Sequence, residues 1–195
     1  MDLHLAGKRV LITGASKGIG AAAAAVFAEE GCHLHLAARN EQAMQRLKQE
    51  LQGRHGVEVT VHAVDLRKAE DLARLGDAAA DIDILVNNAG DIPGGPIDKV
   101  VEETWRHAWE LKVFGYINLT RMVYAQMKSR GGGGRLNDIG AAVQMVLTTR
   151  LTVFAPARMK MVVVAVLLPM LPLLATMIPL KTVMPRLASV MLGGL

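Results

Sequence analysis

The chain has 195 residues, of which 51% are hydrophobic, and a formal net charge of +4 at pH 7. This length suits one domain, and the apolar content suffices for a packed core and excludes disorder for most of the chain. The excess basic residues are thinly spread after residue 135 without forming a cluster. Because a nucleic-acid surface needs a concentrated basic face, we do not expect nucleic-acid binding.

Cysteine usage and the polar start of the chain bear on its compartment. The single cysteine, Cys32, excludes an intramolecular disulfide and gives no sign of an oxidising environment. The first ten residues have no apolar core of the kind found in a secretory signal. We therefore expect a cytoplasmic protein. The six histidines show no metal-ligand spacing, so no metal site is predicted.

The first 135 residues alternate strand and helix patterns, which is typical of a parallel sheet with crossover helices. Strands are predicted at short β-branched or alternating apolar runs, and helices at longer runs of helix-forming residues. The predicted strands are 9–13, 33–37, 57–64, 82–86 and 135–139. The predicted helices are 19–30, 41–52, 69–80 and 102–130. We therefore predict an α/β fold built on one doubly wound parallel sheet.

The sequence changes character after residue 139. No carboxylate occurs in 139–195, and the stretch 161–180 is uncharged and mostly apolar between two lysines. Its length makes it a candidate membrane span, but three prolines inside it would interrupt the backbone hydrogen bonds that a span needs. A buried C-terminal segment is the alternative interpretation.

A glycine-rich turn is the most informative local pattern, and it lies within Val10-Leu-Ile-Thr-Gly-Ala-Ser-Lys-Gly-Ile-Gly20. An apolar strand runs into the turn, and the turn opens a helix. The glycines let the backbone approach a pyrophosphate closely, and the first N–H groups of the helix favour an anion. Because glycine is common in ordinary turns, the strand–turn–helix context carries this prediction.

These residues resemble the short-chain dehydrogenase/reductase family, whose turn reads Thr-Gly-x-x-x-Gly-x-Gly, as Thr13–Gly20 does. Two more family motifs follow in order. Asp65-Leu66 is similar to the family's adenine-contacting segment, and Asn87–Gly90 to its Asn-Asn-Ala-Gly segment at the cofactor site. The resemblance spans residues 5–142 and implies a Rossmann-type fold. The cofactor-binding residues that it implies are Gly14, Ser16, Lys17, Gly18, Ile19, Gly20, Arg39, Asp65, Leu66, Asn87, Ala89 and Gly90.

The end of the second strand bears on the choice between NAD and NADP. An NAD site usually has an acidic residue there, about 20 residues after the glycines, to bind the ribose 2′-hydroxyl. Here Arg39 occupies the position, and a guanidinium accommodates a 2′-phosphate. Lys17 offers a second positive charge. We therefore predict NADP(H) rather than NAD(H); the alternative is that Arg39 simply faces water.

The family's catalytic residues have no match in this sequence. The resemblance implies a Tyr as general acid/base, a Lys that lowers its pKa, a Ser that orients the substrate, and a helix Asn that holds a water. The Ser position falls near Gly140, the Asn position near Lys112, and no Tyr follows Tyr124. The pair Tyr124 and Lys128 has the family spacing but precedes the fifth strand, where it would lie away from the cofactor. The catalytic residues are therefore unassigned.

The region after Ala142 is too short for the family's catalytic segment. Residues 150–160 resemble the family's sixth strand and the turn after it, with Ala157 in place of the turn's glycine, and 193–195 resemble the end of its last strand. The seven residues between Ala142 and this strand cannot hold the catalytic helix, whose span is longer. Either that helix is deleted or 143–195 is altered. We therefore divide the chain into a dinucleotide-binding region, 1–142, and a divergent C-terminal segment, 143–195, of the same domain.

Three functions remain open from the sequence. The resemblance implies an NADP(H)-dependent oxidoreductase that acts on a small carbonyl or alcohol and forms a homo-oligomer through its long helices. The absent catalytic residues favour a nucleotide-binding protein without turnover. The third possibility is a membrane-attached variant that uses 161–180.

Overall fold

The computed structural model describes residues 4–91, 94 and 98–131 with their side chains, and the backbone of 135–141, 160–161 and 164–166. The strands are β1 (Arg9–Thr13), β2 (His33–Ala38), β3 (Val59–Ala63), β4 (Ile84–Asn87), β5 (Arg135–Ala141), β6 (Lys160–Met161) and β7 (Val164–Val166). The helices are α1 (Gly18–Glu29), α2 (Glu41–His55), α3 (Ala69–Ala78), α4 (Glu102–Trp109) and α5 (Tyr116–Ser129), with a π-helical segment at Glu110–Gly115 between the last two.

The described strands form one parallel sheet in the order β3-β2-β1-β4-β5-β6, with β7 also paired to β5. The chain winds outward from β1 to β3, returns to the middle at β4, and then winds outward in the other direction. The winding therefore reverses between β1 and β4, and ligands of such sheets bind beside the carboxyl ends of the strands at this point. The predicted doubly wound α/β fold is confirmed.

The core has two layers because helices cover both faces of the sheet. Val10 and Ile12 of β1 point into one layer, which is packed with residues of α1 and α2. Leu11 points into the other layer, which is packed with residues of α3 and α5. All three side chains are fully buried. A strand buried on both faces has a continuous apolar sequence, which is what β1 shows from Val10 to Ile12.

The predicted helical stretch over 102–130 is confirmed, and its middle is π-helical. The π-helical segment Glu110–Gly115 adds a residue to one turn between α4 and α5. Gly115 lies against the β3–α3 loop, where an added Cβ would stand 3.2 Å from the carbonyl oxygen of Leu66. Such insertions in a helix are frequent at functional sites because they re-aim the side chains around them.

The predicted sixth strand with its turn, 150–160, lies outside the described residues except for the backbone of Lys160. The prolines of 161–180 and the chain end at 193–195 also lie outside the described residues. The apolar stretch 161–180 contributes only the backbone of β7 and of Met161 to what is described. Among the residues that the structure describes, none of the helices has the length and hydropathy needed to cross a membrane.

Candidate dinucleotide site

The sequence-predicted site residues meet at the carboxyl edge of the sheet, which is the edge where β1 to β4 end. The glycine turn follows β1, Arg39 follows β2, Asp65 and Leu66 follow β3, and Asn87–Gly90 closes β4. Backbone hydrogen bonds join the turn to β2, because Gly14 N–H donates to the carbonyl of Ala37 at 2.7 Å. Parallel pairing of β1 with both β2 and β4 thus brings residues distant in sequence together around the carboxyl end of β1. We call the region between the ends of β2, β1 and β4 the cleft.

Two glycines of the turn occupy positions that no larger residue fits. Gly14 has φ of 68°, and an added Cβ would lie 2.8 Å from the Cα of Ala89. Gly20 lies in the first turn of α1, where an added Cβ would collide with the carbonyl oxygen of Gly14 and the side-chain nitrogen of Asn88. These glycines let α1 and the end of β4 approach the turn closely. A close approach of backbone of this kind is what a pyrophosphate cradle requires.

The amino end of α1 faces this cleft. Gly18 and Ile19 begin the helix, Ser16 is half-buried before it, and Lys17 precedes it with extended backbone and an exposed side chain. No side chain caps the helix, and its first turn contains no acidic residue. The helix therefore presents backbone N–H groups and the positive end of its dipole without an internal anion in front of them.

Thr13 and Asn88 tie the ends of β1 and β4 together. The buried Thr13 hydroxyl donates to the carbonyl of Val86 at 3.3 Å and accepts from the N–H groups of Asn88 at 2.9 Å and Ala89 at 3.0 Å. The Asn88 amide donates to the carbonyls of Thr13 at 2.9 Å and Gly14 at 3.3 Å. These bonds fix the floor of the cleft. Asn88 was not among the predicted site residues, although the second Asn of the Asn-Asn-Ala-Gly motif signals it.

Asn87 turns away from this cross-link. Its side chain is fully buried, and its amide nitrogen donates to the hydroxyl of Thr120 in α5 at 2.9 Å. Through this bond Asn87 anchors β4 to α5. Ala89 and Gly90, which follow Asn88, line the cleft.

Arg39 lies where the sequence places it, directly after β2 and beside the cleft. The next residue, Asn40, caps α2 by accepting a hydrogen bond from Ala43 N–H at 3.0 Å, so the backbone at Arg39 is held. The Arg39 guanidinium is 61% exposed and stands 3.8 Å from the carboxylate of Asp91, just after the Asn87–Gly90 segment. The Arg39 guanidinium could therefore bind a phosphate in place of the Asp91 carboxylate.

Asp65 is bound by a neighbouring arginine. Its carboxylate accepts from Nε of Arg67 at 2.9 Å and from Nη2 at 2.6 Å. These hydrogen bonds hold the pKa of the Asp65 carboxyl below its ordinary value, and the same pair raises the pKa of Arg67. Arg67 also contacts His107 of α4. The loop that carries Leu66 is thus fixed on both sides, and the buried Leu66 packs into the core beneath it.

Lys112 and Tyr116 form a chain of contacts behind Gly90. Tyr116 is buried, and its hydroxyl donates to the carbonyl of Ala89 at 2.6 Å. The Lys112 ammonium donates to the same hydroxyl at 3.3 Å and would lie 3.5 Å from a Cβ at Gly90. The residue that replaces the family's helix Asn therefore adjoins the cleft wall. Sequence reasoning missed Tyr116, although its four-residue spacing from Lys112 on a predicted helix places both on one face.

The pair Tyr124 and Lys128 lies at the opposite edge of the sheet. Both are in the last turns of α5, whose neighbouring Gln126 donates to the carbonyl of Gly76 near the end of α3. This end of α5 precedes β5, so it lies beside the amino ends of the strands. Gly140, at the family's Ser position, is described only as backbone of β5.

No group of three or more His, Cys, Asp or Glu residues that could hold a metal occurs within the part of the chain that the structure describes. The described donors beside the cleft are instead the backbone N–H groups at the start of α1 and the guanidinium of Arg39. Such donors suit phosphates.

A doubly wound parallel sheet with a glycine cradle at its winding reversal defines a dinucleotide-binding protein of the Rossmann type. Residues 8–153 match the short chain dehydrogenase family. The chain therefore belongs to the short-chain dehydrogenase/reductase family, as its three motifs predict.

Individual relatives agree with this assignment. The chain is 37% identical over 142 residues to an uncharacterized oxidoreductase, YvrD, of Bacillus subtilis, covering 70% of this chain and 52% of YvrD. It is 35% identical over 136 residues to 7alpha-hydroxysteroid dehydrogenase of Escherichia coli, covering 68% of this chain and 52% of the enzyme. L-Sorbose reductase from Gluconobacter frateurii, solved with NADPH and L-sorbose, is similar with a TM-score of 0.68 and 35% identity, over 72% of this chain and 55% of the reductase. The chain thus spans about half the length of the relatives it matches.

Proposed function

We propose that this chain binds NADP(H) as the cofactor part of a short-chain oxidoreductase that acts on a small carbonyl or alcohol. One observation carries the choice of cofactor: the end of β2 presents Arg39 to the cleft, where an NAD site would present a carboxylate. The solved NADPH complex of the similar L-sorbose reductase supports the same choice.

The chain's own residues would hold the cofactor in segments. The glycine turn and the amino end of α1 would bind the pyrophosphate, because the first N–H groups of the helix have no partner within the helix and no side chain caps them. Arg39, with Lys17, would bind the 2′-phosphate, while Asp65 and Leu66 would border the adenine. Ala89 and Gly90, held by Tyr116, would line the ribose. When bound, the nicotinamide supplies hydride transfer with a substrate carbonyl or alcohol.

Titration of the purified full chain with NADPH and with NADH, followed by fluorescence, tests the proposal. NADPH should bind more tightly than NADH. Arg39→Asp should weaken NADPH binding by about 10- to 100-fold, the effect of losing a hydrogen bond between charged groups, and NADH binding much less. Arg46→Asp, which makes the same charge change on the exposed side of α2, is the control and should leave both affinities unchanged. An equal loss for both nucleotides in Arg39→Asp, or no loss, would reject the NADP(H) assignment.

Nucleotide binding without turnover is the second candidate function. The observation that favours it is the sequence itself, in which no Tyr follows Tyr124 and no Ser lies between Ser129 and Ser189. The two candidates differ in one measurement, the oxidation of NADPH in the presence of a panel of small ketones and aldehydes. Consumption of NADPH that depends on the carbonyl compound supports the oxidoreductase, and binding with no consumption supports the second candidate.

A further inference from the structure

The contact between Arg39 and Asp91 crosses the mouth of the candidate site. Arg39 follows β2 and Asp91 follows the Asn87–Gly90 segment after β4, and both of these strands are neighbours of β1. The guanidinium and the carboxylate are 3.8 Å apart. The pair therefore spans the carboxyl end of β1, which is where a dinucleotide lies in sheets of this kind.

Asp91 lies near two guanidinium groups, which differ in exposure and in their other partners. Arg67 stands 4.0 Å from Asp91, but its Nε and Nη2 already donate to Asp65, and its side chain is only 13% exposed. Arg39 and Asp91 are 61% and 53% exposed. Arg39 is thus the more exposed cation of the cluster, and the Asp91 carboxylate is its described anionic partner.

This ion pair contributes little to folding. Exposed pairs gain little because water screens the charges and two long side chains must be ordered. A ligand anion can therefore displace Asp91 from Arg39 without disturbing the fold. The displaced carboxylate nevertheless stays close to the incoming group. The backbone before Asp91 is tied to β1 by Thr13 and Asn88, and the turn after β1 is tied to β2 by the bond from Gly14 N–H to the carbonyl of Ala37.

We propose that Asp91 is a specificity-determining residue of the nucleotide site, whose carboxylate competes with the 2′-phosphate of NADP(H) for Arg39. This inference rests on the proposed function. A 2′-phosphate at Arg39 must replace Asp91 as its partner and also meets the repulsion of a like charge. A ribose 2′-hydroxyl, which is neutral and can donate a hydrogen bond, meets neither penalty. Asp91 therefore lowers the preference of the site for NADP(H) over NAD(H).

The test is calorimetric titration of the full chain and its Asp91→Asn variant with NADPH and with NADH at low salt. Removal of the carboxylate should tighten NADPH binding by about three- to tenfold, as expected for one partly screened charge contact, and change NADH binding by less than about twofold. The gain should shrink at high salt, since salt screens exposed charges. Asp91→Glu, which keeps the charge, should show no such gain.

Two controls test whether the gain in NADPH affinity is specific to Asp91 and depends on Arg39. Glu50→Gln removes the same charge from another exposed arginine pair, with Arg54 on α2, and should leave both affinities unchanged. In an Arg39→Gln background, Asp91→Asn should gain less for NADPH than it does in the wild type, because the competition needs the guanidinium. Circular dichroism of each variant verifies that the fold is kept.

The outcomes separate this inference from the proposed function. If the wild type prefers NADPH and Asp91→Asn leaves NADPH binding unchanged, weakens it, or shifts both nucleotides equally, the role of Asp91 is wrong while the proposed function stands. If neither the wild type nor Asp91→Asn binds either nucleotide, the proposed function fails and the inference fails with it. A selective gain for NADPH that needs Arg39 supports both.

Discussion

Cys32 is the residue whose reactivity reports most directly on the packing of the sheet. It precedes β2, is fully buried, and its thiol donates to the carbonyl of Leu5 at 3.3 Å. Burial, with smaller contributions from Glu30 and Asp83, raises the pKa of the thiol to about 11. Because the thiolate is the reactive form, we expect the native protein at pH 8 to react very slowly with a disulfide reagent such as dithionitrobenzoate. Labelling in denaturant provides the full signal, and rapid labelling without denaturant would contradict this packing.

Tyr116 is the residue that supports the cleft wall from behind. Tyr116→Phe keeps the ring and removes the donor to the carbonyl of Ala89, which lies 2.6 Å away. Loss of a partner by a buried acceptor costs about 1–3 kcal/mol, so the free energy of unfolding in urea should fall by that amount. NADPH binding should weaken as well, because Tyr116 holds the segment of Ala89 and Gly90 that we propose to line the ribose. Tyr124→Phe, on the far end of the same helix, is the matched control and should leave binding unchanged; equal behaviour of the two variants would show that Tyr116 has no special role.

At the residue scale, the motif positions could be located from sequence but their supporting contacts could not. Arg39 is identifiable because its position is set by distance along the chain from Gly20. Tyr116 and Asp91 matter through contacts with Ala89 and Arg39 that arise only when β1, β2 and β4 are side by side. Such long-range partners leave no periodic signal in one sequence.

At the scale of elements, the approach of α1 to β1 and β4 depends on the absence of a side chain at Gly20. A methyl group there would meet backbone at Gly14 and the side chain of Asn88, which is itself held by Thr13. Gly20→Ala should therefore destabilise the chain by about 1–3 kcal/mol, as overpacking does, and weaken NADPH binding strongly.

Gly53 provides the control for that substitution. It also lies in a helix, α2, but an added Cβ there meets nothing within 4 Å. Gly53→Ala should keep NADPH binding and raise helix stability by up to about 1 kcal/mol, because alanine is the better helix former. Urea unfolding and NADPH titration of both variants make the comparison. Similar effects of the two substitutions would contradict the close packing at Gly20.

The sequence patterns located the strands and α-helices described up to β5. The predictions differ from the structure mainly in where these elements begin and end, and in the π-helical segment Glu110–Gly115. Strand β3 is shorter than the predicted 57–64, and α2 continues to His55, where Gly56 ends it in a left-handed conformation. The π-helical segment was not predicted, because an extra residue in a turn alters no propensity. It depends on Gly115 meeting the backbone of Leu66, a contact between elements about fifty residues apart.

At the scale of the whole molecule, fold class and family follow from the order of motifs along the chain, whereas catalysis does not. The motifs lie at consecutive strand ends, and the topology of a parallel sheet brings those ends together whatever the loops contain. The division of the chain at residue 142, and its oligomeric state, stay predictions. The residues that bear on catalysis follow β5, where the family's Ser, Tyr and Lys have no match in this sequence.

The stability of the whole molecule should depend on pH through two stacked histidines on β2 and β3. The rings of His35 and His62 lie 5.2 Å apart, with Nδ1 of the first 3.0 Å from Nε2 of the second. Burial lowers the pKa of both, that of His35 from 6.5 to about 4, with further contributions there from His62 and Arg9. A hydrogen bond between two imidazoles also requires at least one neutral acceptor.

The free energy of unfolding should fall as the pH falls, because the unfolded state binds a proton at His35 before the folded state does. Unfolded His35 titrates near 6.5, whereas the folded protein keeps it neutral down to about pH 4. Between these values the unfolded state binds more protons, so the free energy of unfolding is greatest above pH 6.5 and decreases as the pH falls toward 4. Urea unfolding at several pH values from 8 to 4 measures this loss. His35→Gln should lose less stability over that range than the wild type does. At pH 8 the variant should already be less stable by about 1 kcal/mol, because it lacks the hydrogen bond to His62. Because the two proteins differ only at residue 35, parallel curves for the two would show that the histidine pair does not control the acid stability of the fold.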